Sequence, residues 1–299
     1  MLAPAIQRTR ERARAVDCRS RLKQLGIALH NYSALYSESL PPSFQRTTIY
    51  PSGQVSLRNL SAQAQLLPFI DLADVWNKID FAEEGEGAAN EPASSVRNAS
   101  LMSHSVRLFC CPSDSVRAGG ISYRACLGSS PGYHENPAIG AFRGVARTFG
   151  VRQAQVTDGL SSTAFFSERV VGDFSMERYS PWRDRARWDA PASSGLSPDD
   201  TLASCATTPV TPLEHYSSDG STWLLTHVSQ TLYNHVLPPN SRIPDCEANG
   251  LAVSARSQHP GCVHVLFCDG STRSVADQID LGVWRASASI NGAELLAIE

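Results

Sequence analysis

The texture of the chain changes near Cys111. Before it, apolar residues fall at helical intervals; after it, short apolar runs are punctuated by Gly, Ser, Thr and Pro. Leu22, Leu25, Leu29, Tyr32 and Tyr36 recur at three- and four-residue steps and form one apolar stripe, so residues 2–36 read as a single helix. Pro4 lies in its first turn, where proline is tolerated, and Pro41-Pro42 stops it. Leu60, Ala64, Leu67 and Ile70 keep the same spacing and predict a second helix over 57–78, which Pro68 is placed to split. Residues 83–95 are polar and rich in Gly and Ala, a loop composition, and a third helix is expected over 96–105.

Beyond Cys111 the expected strands are 122–127, 164–170, 223–226, 263–268 and 272–275. The last two flank Asp269-Gly270, a signal for a hairpin with a type I′ turn, and Val263, Val265 and Phe267 would share one face. Residues 180–212, with many Pro, Ser and Asp, read as a long surface insertion. The fold class is α+β: a long N-terminal helix on a mainly antiparallel sheet with long loops, divided as a stalk over 1–42 and a head over 43–299.

Charge sharpens this division. The net charge is −3, yet the first 25 residues carry seven basic side chains against two acidic ones, a local +5 that leaves −8 for the remainder. On a helix Arg8, Arg12 and Arg19 spread around the surface, and few aromatics interleave with them, so a solvated stalk is expected and nucleic acid is not a partner. Eight cysteines, none in a C-x-x-C pair, favour an oxidising compartment with one to three disulfides over a zinc ribbon or thioredoxin-like site. Cys205 and Cys246 flank the segment containing Trp223 and Pro238-Pro239-Asn240 and are one candidate pair, with free buried thiols as the alternative. No uncharged apolar run reaches the ~18 residues of a membrane span.

Catalytic and metal signatures are weak. Gly128-Ser129-Ser130-Pro131-Gly132 matches G-x-S-x-G, but the oxyanion hole of a nucleophile elbow needs the N–H of the next residue, and that residue is Pro131. His259 and Asp269 stand ten residues apart along a strand, about 30 Å if it is straight, so they do not form an acid–base pair. Cys262, His264 and Cys268 share strand parity, but the two sulfurs would lie about 20 Å apart, too far for one zinc ion or a disulfide. No catalytic residue and no metal site is expected. Trp182, Trp188 and Trp223, with Tyr179 and Tyr216, could stack on sugar faces, which makes a glycan- or solute-binding module the alternative function.

Four segments in order resemble one bacterial envelope family. They are Leu2–Gln7 running through Cys18-Arg19-Ser20-Arg21-Leu22-Lys23-Gln24-Leu25-Gly26 to Leu40-Pro41-Pro42; Cys110-Cys111-Pro112-Ser113-Asp114; Thr157-Asp158-Gly159-Leu160-Ser161-Ser162-Thr163 with Ser167-Glu168; and His259, nine residues, then Asp269-Gly270. This is similar to the family with a prepilin-type N-terminus and a terminal His-x9-Asp-Gly signature, domain of unknown function 1559, sometimes labelled solute-binding-like. The resemblance implies a pilin-like architecture, an inner-membrane anchor, a periplasmic or surface location, and partners that are copies of itself or other pilin-like subunits. Its molecular activity is not established. The apolar, membrane-spanning half of the helix is expected upstream of Leu2. The resemblance also suggests a Cys18–Cys111 disulfide tying helix to head. It raises calcium as a ligand of the oxygen-rich Asp158, Gly159, Ser161, Thr163 and Glu168 region, against an ordinary hydrogen-bonded turn.

Overall fold

The computed structural model describes residues 3–42, 45–49, 55–58, 60–80, 98–115, 118–131, 140–141, 150–187, 197–209, 214–248 and 250–292. Helix α1 (Ala3–Leu35) has 33 residues, about 50 Å at 1.5 Å per residue. It buries Leu22, Leu25, Leu29 and Tyr32, as the stripe predicts, together with Cys18 and Ala28. Tyr36 does not belong to the stripe. It follows the last helical residue, the chain turns away through Ser37 and Glu38 at positive φ, and its ring is 49% exposed while stacking on Tyr32 at 4.4 Å. Among the described residues no helix is long and apolar enough to cross a membrane.

The expected helix over 57–78 breaks up. The antiparallel pair β1 (Gln45–Ile49) and β2 (Val55–Arg58) reaches into its start. Then α2 (Ala62–Leu66), a 3₁₀ turn at Leu67–Phe69 containing Pro68, and α3 (Ala73–Trp76) follow. Ser61 caps α2 by accepting from the Ala64 N–H at 2.9 Å, a start signal that the apolar spacing alone overrode. The predicted third helix is one turn, α4 (Ala99–Met102); residues 83–95 lie outside the described residues.

The central sheet has five strands in the order β11-β10-β4-β3-β7: β3 (Tyr123–Cys126), β4 (Ala164–Glu168), β7 (Leu232–Tyr233), β10 (Cys262–Phe267) and β11 (Thr272–Ala276). All neighbours are antiparallel except β3 and β7. Residues 223–226 are not a strand; there Leu225 makes only an isolated bridge to Leu60. Both faces of the sheet are buried. Leu266 joins the cluster formed with α1, Tyr123 and Phe166. Val263, Val265 and Phe267 face the other way and pack with Val253 and Trp284 of α6 (Leu281–Ala286).

A second sheet, β6-β5-β8-β9, is built from β5 (Arg185–Arg187), β6 (Glu214–Tyr216), β8 (Asp245–Ala248) and β9 (Gly250–Ala252). Helix α5 (Pro198–Ala206) packs on β8 and β9, with Pro198 in its first turn and Ser197 as its cap. The region read as an insertion therefore contributes β5 and α5, and α5 carries the Cys205–Cys246 disulfide to β8. The sheet rests on buried charge: Asp245 is bridged by Arg169 at 2.9 Å and Arg256 at 3.0 Å, and Asp219 by Arg185 at 3.4 Å.

Candidate functional site at the helix–sheet joint

β10 runs lengthwise along α1, and the two are pinned at both ends. At one end stands His259, 3% exposed, just before the strand. Its Nδ1–H donates to Glu11 Oε1 of α1 at 2.8 Å, while Nε2 lies 3.1 Å from Glu168 Oε1 at the end of β4. Glu11 also accepts from Ser113 Oγ at 2.9 Å. Glu168 Oε2 accepts the His264 N–H at 2.8 Å. Cys18 of α1 and Cys111 form the expected disulfide, and Cys111 Sγ is 3.4 Å from His259 Nε2.

The electrostatics of two neighbouring rings diverge, although their centroids are 5.0 Å apart. Burial works against a charged His259, but Glu168 and Glu11 outweigh it, so its pKa rises above the ordinary value. Burial dominates at His264 and lowers its pKa, even with Glu168 pulling the other way. Its Nδ1 pairs with Ser274 Oγ at 2.9 Å.

At the other end the joint is steric. Gly270 has φ +76°, and a Cβ there would sit 2.7 Å from His30 Nε2; a Cβ on Gly26 would sit 2.8 Å from Leu266 Cδ1 and 2.9 Å from Gly270 O. Two backbones thus approach over two glycines. Lys23 Nζ donates to Gly270 O at 3.0 Å and His30 Nε2 to Asp269 O at 2.6 Å. The turn itself corrects the expected type I′. Only Gly270 has positive φ, Gly270 N donates to Phe267 O, and Phe267 N donates to Ser271 O. This is a type I turn followed by a glycine bulge, steadied by Asp269 Oδ1 accepting from Ser271 N at 2.8 Å.

The remaining motif residues brace these pins. Cys111-Pro112 leads into a turn in which Asp114 N donates to Cys111 O. Asp114 then accepts from Val171 N at 2.9 Å and Ser122 Oγ at 3.2 Å and pairs with Arg183. Arg21 donates to the carbonyls of Cys110 at 2.7 Å and Arg107 at 2.9 Å. Asp158 accepts from Gly292 N at 2.8 Å, and Gly159 takes φ +96° in the turn whose Thr163 Oγ1 donates to the Gly159 and Ser289 carbonyls. Glu168 is engaged at the His259 joint instead, so the oxygens weighed for calcium do not gather as one set.

The aromatic residues considered for sugar stacking are dispersed. Trp223 is fully buried, with Nε1 donating to His104 O at 2.7 Å, and so presents no face to a ligand. Trp182 is half-buried beneath the Arg256 guanidinium, Tyr216 lies under Arg185, and Trp188 falls outside the described residues. Nothing in the sequence assigns Glu11 a role, and Ser113 stands there only as a member of the Cys-Pro-Ser-Asp motif. Glu11 is 248 residues from His259, and a lone Glu among arginines carries no local signal.

Fold and joint together define a class: an α+β head that grips a projecting helix through a basic helix-side motif, a Cys-Pro-Ser-Asp turn and a His-to-Asp-Gly strand. The family model described as "Protein of unknown function (DUF1559)", with the label SBP_bac_10, matches residues 7–282, and the chain belongs to that family. No curated protein matches it, and no solved structure does.

Proposed function

We propose that the chain is a non-enzymatic, pilin- or pseudopilin-like protein of the cell envelope, a structural or adhesive subunit that meets copies of itself or related subunits through α1. One observation carries this reading. Helix α1 is fastened to the head from Glu11 onward, whereas residues 6–10 ahead of that pin stand exposed, with Ile6 at 49%, and Val16 adds apolar surface at 63% exposure on the outward face. A helix clasped so firmly at one end and bare at the other suits packing against neighbouring helices. Two disulfides suit an oxidising, periplasmic or surface location. The glycan-binding alternative has less support, because Trp223 is in the core and arginines cover Trp182 and Tyr216.

The test is site-specific photo-crosslinking in the producing cells from positions 6 and 16, with Met176, an exposed head residue, as reference. Helix positions should give adducts with the same chain or another helix-bearing envelope protein, and Met176 should not. Recovery in the cytosolic fraction without helix adducts would overturn the reading.

A further inference from the structure

Four side chains with metal-ligating atoms meet at the His259 end of the joint: Cys18, Cys111, Glu168 and His259. All are buried, and one ligand atom from each lies within 4.8 Å of every other. They come from four separate parts of the fold: α1, the turn after Phe109, the end of β4 and the segment before β10. We propose that, once the Cys18–Cys111 bond is reduced, these residues form a tetrahedral zinc site, so that the helix is fastened either by a disulfide or by a metal ion.

The arrangement around the sulfurs argues for this. A disulfide has no need of an imidazole and a carboxylate against it. Yet His259 Nε2 is 3.4 Å from Cys111 Sγ and 3.1 Å from Glu168 Oε1. The edges of a zinc tetrahedron with sulfur, nitrogen and oxygen donors are about 3.3–3.8 Å; these two edges are already near that length, the other three between the sulfurs and the remaining donors lie within 4.8 Å, and the two sulfurs must separate. Glu168 Oε1 has His259 Nε2 beside it and no other hydrogen-bond donor among the described residues. The other side of the ring is already set: Glu11 takes the Nδ1–H at 2.8 Å, the carboxylate–imidazole support typical of zinc-bound histidine, which leaves Nε2 to bind. A small cavity lined by Cys111, Asp114, Ser122, Glu168, Arg169 and Arg256 lies beside the cluster.

The chemistry balances with a dithiol as reductant. The dithiol gives two electrons and two protons to the Cys18–Cys111 bond and becomes a disulfide. Zn2+ then displaces the two thiol protons, and the Nε2 proton where the ring carries one, and binds two thiolates, the imidazole and the carboxylate. A disulfide oxidant reverses this by removing two electrons from the thiolates, and the ion leaves. Cys110 is not a ligand, because its Sγ turns to the carbonyls of Gly120 at 3.3 Å and Val106 at 3.5 Å. The inference is independent of whether α1 assembles with other subunits.

The experiment uses the full chain, reduced under anaerobic conditions, exposed to Zn2+ or Co2+ and desalted. We expect one equivalent of zinc per chain by elemental analysis. The cobalt form should show thiolate charge-transfer bands and the visible bands of a tetrahedral ion. The oxidised chain should take up none, and Cys111→Ser and His259→Ala should lose the site, whereas Cys110→Ala and Cys262→Ala should keep it. Glu11→Gln should bind about 10- to 100-fold more weakly with the same spectrum. If reduction loosens the helix, zinc should restore its resistance to trypsin. The proposal fails if the reduced, folded chain takes up no metal, if Cys111→Ser binds as well as the parent, if the oxidised chain binds equally, or if zinc leaves a loosened helix loose.

Discussion

The two faces of the central sheet are held by different means. On one side Val263, Val265 and Phe267 meet Trp284, which is fully buried, and His235, stacked flat on the indole at 3.5 Å. That side is close-packed, and the Arg273 guanidinium lies over its Phe267 ring at 4.8 Å. The side toward α1 has an apolar middle, but its ends are pinned by a disulfide, two carboxylates on one imidazole, and a glycine-to-glycine contact. The first face makes the head a folded unit; the second decides whether the helix stays attached. Damage to the two should therefore differ in kind as well as size.

The largest effect is expected from Trp284→Ala, about 3–5 kcal/mol for loss of a buried indole, seen as a lower urea midpoint for the whole head. The same face supplies a pH dependence. Burial lowers the His235 pKa from the ordinary 6.5 to about 3, and its ring is neutral, donating from Nδ1 to Trp284 O and accepting the Tyr233 hydroxyl at Nε2. A depressed folded pKa means the contribution is complete above pH 6.5 and drains away as pH falls toward 3. His235→Asn should flatten the acid limb of the stability profile, and an unchanged limb would place the titration elsewhere.

On the helix face, Cys18→Ser with Cys111→Ser should cost about 2–5 kcal/mol, since the bond closes a loop across 93 residues. The expected sign is new trypsin cleavage after Arg21 and Lys23 while the head persists. Gly270→Val comes next, at about 2–4 kcal/mol from positive φ and overpacking against His30. It should loosen the His30 end and leave the disulfide end intact. Should it unfold the head in one step, as Trp284→Ala does, the distinction between faces collapses. The smallest effect is Glu11→Gln, about 1 kcal/mol, read as faster helix cleavage without a change in the urea midpoint.

The sequence discloses the helix face better than its fastenings. The Leu22–Tyr32 stripe and the Asp269-Gly270 hairpin are legible because their signals are local and periodic. The second sheet is not, because Arg185–Arg187 and Glu214–Tyr216 are three-residue strands of mostly polar side chains, too short for a periodic signal. Arg124, Arg169 and Arg256 lie fully inside, where composition rules place apolar residues. Both disulfides could be nominated from sequence, but the partners of His259 could not, because its two carboxylates stand 248 and 91 positions away.

The lengthwise contact between α1 and β10 has a mechanical consequence. The fastenings at Glu11 and His30 are 19 helical positions apart, about 28 Å along the axis. A pull directed along the helix loads every contact between them at once, in shear, with a covalent link sharing the tension. A sideways pull would instead peel them one after another. A head built this way resists being drawn along its helix far better than being pried from its flank.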